Sequence, residues 1–304
     1  MAYNVGNPMF KGSLVALITP FLDGKVDEKA FRKLVSWQID EGTDGLIPVG
    51  TTGESPTLSH DEHKQVVELC VDEANGRVPV IAGAGSNSTA EAVEFTTHAK
   101  EAGAAAALHV TPYYNKPSQE GLLQHLTEIA NSVNIPIVIY NIPGRSVIDM
   151  TNETMAKLYK LKNIVGVKDA TGDIPRVYSA KNDIGKDYIL LTGDDSTTLA
   201  FMTYGGHGAI SVTSNIAPQL CSEFQNLCMD KKFYEASKIN DQLMPLHRAL
   251  FLESSPGPVK YAASVLGLCS EEVRLPVTTI SKETKESIDS ALRHCLLYTS
   301  PSPR

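Results

Sequence analysis

VPVIAGAGSNSTAEAVEFTTHAKEAGAAAALHVTP, residues 78–112, contains the unit from which most of the chain is built. VPVIAGAG (78–85) and AAALHVTP (105–112) stay apolar without alternating, as a strand buried on both faces should. Between them STAEAVEFTTHAKEAG (88–103) has helical spacing and opens on Ser88 with Glu91 three residues later, the spacing of a capping box. Strand, helix, strand in that order predicts a parallel β/α unit.

The same rhythm extends in both directions. SLVALITP (13–20), GLIPVG (45–50), IPIVIYN (135–141), NIVGVKDA (163–170), YILLTGDD (188–195) and GAISVTS (208–214) complete a set of eight apolar runs. DEKAFRKLVSWQIDEG (27–42) has an acidic first turn and a glycine stop, and SHDEHKQVVELCVDEANG (59–76) pairs Ser59 with Glu62 as a second capping box. Eight strands with seven helix-bearing connections predict an α/β protein, a (β/α)8 TIM barrel over residues 1–214. A doubly wound sheet is the rival, but its phosphate fingerprint is incomplete: after Gly83-Ala84-Gly85 the third glycine position holds Ser88. The helical patterns at 217–251, 255–268 and 283–294 are expected to pack on the barrel as part of the same domain, residues 215–294. CLLYTSPSPR (295–304) has no apolar periodicity and is expected to be a disordered, non-native tail.

The chain has 304 residues and a formal net charge of -8, with no basic run, which disfavours nucleic acid and anionic membranes as partners. A small anionic substrate stays open, because one arginine or a helix N-terminus can hold a carboxylate whatever the net charge. Cys70, Cys221, Cys228, Cys269 and Cys295 are scattered, odd in number and without a C-x-x-C pair, which suits a reducing cytoplasm better than a disulfide framework or a zinc site. The first residues lack the pattern of a signal peptide, and no apolar run reaches the ~18 residues of a membrane helix.

In such a barrel the chemistry sits where strands end and the next loops begin. The sixth apolar run ends in Val167-Lys168-Asp169. A lysine there is either a desolvated amine ready to attack a carbonyl, or the partner of Asp169. Tyr140 closes the fifth run as a proton carrier or as a packing tyrosine. Gly50-Thr51-Thr52-Gly53-Glu54 offers hydroxyls and close backbone N–H groups to a carboxylate, or forms an ordinary turn. Tyr113-Tyr114 lies in a proline-bounded loop of the sort that also serves interfaces. Arg145, just past the fifth run, is either a carboxylate anchor or a surface residue. His60 and His63 share a helix face, but no third ligand accompanies them, so a metal site is not expected.

GTTGES (50–55), TPYYNKPSQEG (111–121), YNIPGRS (140–146), GVKDATGD (166–173) and PGPVKYA (256–262) together make the chain resemble the dihydrodipicolinate synthase family. That family is one of the pyruvate-dependent class I aldolases, which include N-acetylneuraminate lyase. The likeness runs from Met9 to about Leu292. It implies condensation of pyruvate with aspartate semialdehyde in the diaminopimelate route to lysine, without metal or cofactor. It implies that Lys168 is the Schiff-base lysine. It also implies that Tyr140 is the general acid/base, joined to Thr51 and to a neighbouring subunit's Tyr114 in a proton relay, which demands a homo-oligomer, a dimer of dimers. Thr52 and Ile210 would contact pyruvate, Arg145 would anchor the semialdehyde carboxylate, and Gly193 would lie in the loop that meets it. Ser55, His60, His63, Asn87, Glu91 and Tyr113 match a site for lysine as feedback inhibitor, with Pro56 standing where alanine is common.

Three other readings compete. A sister aldolase would share Lys168 and Tyr140, and Arg145 argues against the sialic acid lyases. A catalytically silent metabolite-binding homologue would be expected to lack part of the set Lys168, Tyr140, Thr51 and Tyr114. A phosphate-binding barrel would need a glycine loop where GDDSTT stands, and those acidic residues repel phosphate.

Overall fold

The computed structural model describes residues 9–297. Eight strands form one parallel sheet: β1 (Gly12–Ala16), β2 (Gly45–Ile47), β3 (Ile81–Gly83), β4 (Ala106–Val110), β5 (Ile137–Asn141), β6 (Ile164–Asp169), β7 (Ile189–Thr192) and β8 (Gly208–Ser211). β8 pairs back onto β1 with Gly208 opposite Gly12, and Leu46 of β2 bridges Val80 just before β3, so the sheet closes. The structure is thus the TIM barrel read from the apolar runs, not the open doubly wound sheet.

Seven helices cover the strands: α1 (Glu28–Asp40), α2 (His60–Ala74), α3 (Thr89–Glu101), α4 (Gln119–Ser132), α5 (Asn152–Leu158), α6 (Pro175–Asp183) and α7 (Thr198–Thr203). Each strand is apolar on both faces because each face has its own core. Leu14, Ile47, Ile81, Leu108, Val138, Leu191 and Ile210 fill the barrel interior. Val15, Leu46, Ile139, Val167 and Leu190 pack outward beneath the helices.

Two local expectations meet different fates. Ser59 Oγ accepts from the Glu62 N–H at 3.2 Å and Glu62 Oε2 accepts from the Ser59 N–H at 2.9 Å, a complete capping box. At α3 the box does not form. The Ser88 side chain makes no cap bond, and Glu91 instead accepts from Ser86 Oγ and meets His60 Nε2 at 2.9 Å. Spacing alone could not reveal those competing partners.

After the barrel come α8 (Pro218–Met229), α9 (Phe233–Ala249), α10 (Gly257–Val265) and α11 (Lys282–His294). Their apolar faces join the cluster that holds Val15, Phe31 and Leu46. Cys295, where the expected tail begins, packs against α9. Cys295 is buried, its thiol donates to the Gln242 carbonyl at 3.0 Å, and Gln242 Nε2 donates back to the Cys295 carbonyl at 3.1 Å. Residues 298–304 lie outside the described residues. Among the described residues no helix is long and apolar enough to cross a membrane.

One polar tie links the loop after β2 to these helices. Lys260 of α10, fully buried, donates to Glu54 Oε1 at 2.5 Å and to the Glu272 carbonyl at 2.6 Å, and its ammonium sits 3.9 Å from the Phe21 ring centroid. Glu54 Oε2 accepts from the Arg274 N–H at 2.9 Å. Removing one partner strands the other charge, so Glu54→Gln should cost about 3–5 kcal/mol in urea unfolding, and adding Lys260→Met should restore most of it. A loss below about 1 kcal/mol for the single variant would show that the pair is dispensable.

Candidate functional site

Lys168 and Tyr140 are register partners on β6 and β5, so their side chains leave the sheet on the same face, into the barrel. The Lys168 ammonium lies 4.1 Å from the Tyr140 ring centroid, and both residues are buried. Lys168 is not the partner of Asp169, whose carboxylate meets Arg176 Nε at 3.3 Å and accepts from Thr171 Oγ1 at 2.6 Å. Burial pulls the Lys168 amine down to about 7, with Asp195 attracting its charge and Arg145 repelling it. The neutral amine is thus far more accessible near neutral pH than in an exposed lysine.

Burial pushes the Tyr140 phenol up to about 12, opposed by the nearby Arg145 charge and by a hydrogen bond with Thr51. The phenol therefore stays protonated at neutral pH and can donate. Thr51 is placed by a tight turn in which the Ser55 and Gly53 N–H groups donate to the Gly50 carbonyl at 3.3 and 3.1 Å. Val49, which leads into that turn, adopts φ 49°. Gly83 makes room for it: a Cβ there would lie 2.3 Å from the Val49 carbonyl oxygen.

A cleft of about 230 Å³ opens beside Tyr140, walled by Val49, Thr51, Tyr113, Tyr140, Ile142 and Arg145. Arg145 sits in the one-turn helix Pro143–Ser146. Ser146 fastens that turn: its hydroxyl donates to the Ile142 and Ile148 carbonyls and accepts from Thr111 Oγ1, all at 3.0 Å. The Arg145 guanidinium is exposed and has no carboxylate partner among the described residues. Gly193 abuts the lysine, since a Cβ there would stand 2.7 Å from Lys168 Cε. Thr52 and Ile210 are buried close by in sequence and strand order, on the loop after β2 and on β8.

One expected member stands apart. Tyr114 is 91 % exposed at φ 73°, and within a single chain it does not reach Thr51 or Tyr140. Its loop is pinned by Asn87 Nδ2 donating to the Tyr113 carbonyl at 3.1 Å and Asn115 Nδ2 donating to the Asn87 carbonyl at 2.8 Å. Tyr113 and Ser55 do line the cleft. Asn87 is bonded to the Tyr113 carbonyl, Glu91 and His60 pair with each other, and buried His63 stacks on Phe95 with centroids 4.1 Å apart. Two residues near this machinery were not read as functional from sequence, Glu54 and Asp195. Both are acidic side chains buried in loops after strands, and only tertiary structure identifies their partners.

Residues 9–295 match the Dihydrodipicolinate synthetase family. The chain is similar to 4-hydroxy-tetrahydrodipicolinate synthase of Brucella abortus, 60 % identical over 291 residues that cover 95 % of this chain and 99 % of the relative. The fold superposes with a TM-score of 0.93 on the chloride-inhibited dihydrodipicolinate synthase of Acinetobacter baumannii complexed with pyruvate, 46 % identical, covering 95 % of this chain and 99 % of that one. It superposes equally, at 0.93, on the synthase of Cyanidioschyzon merolae with lysine bound, 36 % identical, covering 96 % of this chain and 100 % of that one.

The poised amine can be tested without any substrate. Only neutral amine undergoes reductive methylation, so the rate at Lys168 should rise with pH through a midpoint near 7, where the ordinary surface lysines remain charged. A midpoint near 10 would remove the basis for a nucleophilic Lys168.

Proposed function

Because the chain belongs to the dihydrodipicolinate synthetase family, a family of lyases, we propose that Lys168 carries its chemistry as a Schiff base with pyruvate. The reaction is that of a 4-hydroxy-tetrahydrodipicolinate synthase: condensation of pyruvate with L-aspartate 4-semialdehyde in the diaminopimelate route to lysine. The observation that supports the residue assignment is the buried Lys168 amine 4.1 Å from the ring centroid of its register partner Tyr140, at the barrel mouth.

The steps follow from the groups present. Lys168 Nζ attacks the keto carbon of pyruvate and loss of water leaves a protonated imine. Its positive nitrogen accepts the electron pair as a methyl proton passes to the Tyr140 hydroxyl, which hands its own proton on to Thr51, giving an enamine without metal or cofactor. The enamine carbon attacks the aldehyde carbon of the semialdehyde, and the new alkoxide takes a proton from Tyr140. The amino group of the second substrate then displaces Lys168. Thr51 and the partner subunit's Tyr114 pass the proton along hydroxyls, which makes the working enzyme a homo-oligomer, a dimer of dimers. Thr52 and Ile210 contact pyruvate, Arg145 holds the semialdehyde carboxylate, and Gly193 borders the same substrate. The enzyme works in the cytoplasm.

Borohydride added with pyruvate should fix a three-carbon acid on Lys168 and abolish turnover, and in a coupled assay aspartate semialdehyde should serve where N-acetylmannosamine does not. Labelling that persists in Lys168→Ala would sink the lysine assignment; N-acetylmannosamine as the better acceptor would place the chain among the sister aldolases.

Lysine fits as a feedback inhibitor at Ser55, His60, His63, Asn87, Glu91 and Tyr113. In support, Ser55 and Tyr113 line the cleft, Asn87 donates to the Tyr113 carbonyl, and Glu91 meets His60. Burial holds the His63 imidazole down to about 4, so it meets a cationic ligand as a neutral acceptor. Pro56 fits its loop, where it opens a 3-10 turn over Ser55–Thr57. Coupling between two such sites is typically about 1–3 kcal/mol, so lysine should reduce turnover several-fold or more. Calorimetry should give lysine heat with the wild type and little with Glu91→Ala; no heat, with full activity at millimolar lysine, would rule the site out.

A further inference from the structure

Tyr140 and Lys168 face into the barrel, and the residues that follow them, Asn141 and Asp169, are register partners in turn. Alternation along a strand puts the Asn141 and Asp169 side chains on the opposite, outward face. There a ring of polar contacts joins them. Asn141 Nδ2 donates to Asp149 Oδ1 at 2.7 Å. Arg176 Nη1 donates to both Asp149 oxygens, at 2.8 and 2.7 Å. Arg176 Nε meets Asp169 Oδ2 at 3.3 Å, which closes the ring. Arg176 Nη2 also donates to the Met150 carbonyl at 2.8 Å. Among the described residues Arg176 is the one cation within ion-pair distance of either carboxylate.

Arg145 lies inside the span that this ring encloses. The chain leaves β5 at Asn141, makes the one-turn helix Pro143–Ser146, and returns to Asn141, whose Oδ1 accepts from the Met150 N–H at 3.0 Å. Residues 142–148 are thus a loop with both ends gathered at Asn141. Arg176 grips that junction from outside and fastens it to Asp169, the residue after Lys168. Arg176 stands in the first turn of α6, where the helix dipole disfavours a cation, so its own helix does not gain from it. A guanidinium set against the dipole, its side chain 17 % exposed and bonded through all three nitrogens, serves the groups it meets.

We propose that Arg176 is a positioning residue that sets where Arg145 stands relative to Lys168, and so fits the site to the carboxylate of the aldehyde substrate. The inference rests on the reading of Arg145 as the anchor of that carboxylate. Without the guanidinium, Asp149 and Asp169 are left close together with no counter-charge, and their repulsion drives the junction away from β6. Pyruvate is spared, because the β5–β6 pairing still holds Lys168 beside Tyr140.

Arg176→Gln should raise KM for aspartate semialdehyde about tenfold, with kcat and the rate of borohydride trapping with pyruvate within about twofold of the wild type. A double-mutant cycle reads the route of the effect. In an Arg145→Ala background the same change should add no further rise in KM, because Arg176 acts through Arg145. A merely structural role would depress kcat and trapping as well, or add to the Arg145→Ala loss, and either result overturns the inference. Arg145→Ala alone separates the two readings. If it leaves this KM unchanged, the anchor reading fails and the inference with it; if it raises KM while Arg176→Gln does not, only the role of Arg176 fails. Should Arg176→Gln not fold, Asp149→Asn, at a half-exposed side chain, goes through the same cycle. A rise in KM that vanishes in the Arg145→Ala background supports the proposal, and an unchanged KM or an additive rise overturns it.

Discussion

Everything at the mouth of this barrel depends on one buried ion pair, Glu54 with Lys260. The loop after β2 leaves the sheet through Val49 at φ 49° and passes through Glu54 at φ 56°, both in the left-handed region that side chains avoid. Such a path persists only where its surroundings over-determine it. Glu54 provides that by reaching into α10 and the segment after it, where the Lys260 ammonium and the Arg274 N–H meet its two oxygens. The C-terminal helices, far away in sequence, thereby set the position of Thr51. Thr51 shares a hydrogen bond with Tyr140, so the tie extends into the chemistry.

The second constraint is a balance of fields. A lysine buried among apolar residues loses its proton readily, and one held too neutral would form an imine that cannot act as an electron sink. Burial favours the neutral form of Lys168, Arg145 adds to that from the cleft, and Asp195 works against both. The three contributions come from different strands' loops, β6, β5 and β7. A closed barrel is suited to this because it points consecutive strand ends at one small volume.

The barrel was legible because each strand serves two cores. Ile139 and Val167 pack outward while Val138 and Tyr140 face in, so β5 reads as an unbroken apolar run. Lys168 stood out because a charged residue interrupts such a run at the end where barrels do chemistry. What the sequence hid were choices between partners. Ser88 and Glu91 have capping-box spacing, yet Glu91 binds Ser86 and His60 because the loop before α3 and the start of α2 bring them nearer. Cys295 looked like the start of a structureless tail, yet Gln242 of α9 fixes it at both its thiol and its carbonyl. Asp195 appeared only as an acid that repels phosphate, because nothing local announces that Val212 and Thr213, on the far side of β8, donate to it.

Tyr114 carries the argument beyond a single chain. Tyr114 is 91 % exposed, in a left-handed backbone conformation closed by the Asn115 N–H donating to the Tyr113 carbonyl at 2.9 Å. Its loop is rigid, since Asn87 and Asn115 bond across it and prolines bound it at 112 and 117. An exposed ring on a rigid loop fits a side chain shaped for a second molecule. The proposed relay gives that shape a purpose: Thr51 and Tyr140 are in place within the chain, and the hydroxyl they lack is of the kind this loop presents outward. The Asn87–Tyr113 bond ties the same loop to the segment whose Ser86 donates to Glu91, the partner of His60. A ligand that moved that pair would therefore act on the loop that carries Tyr114, and on the Tyr113 wall of the cleft.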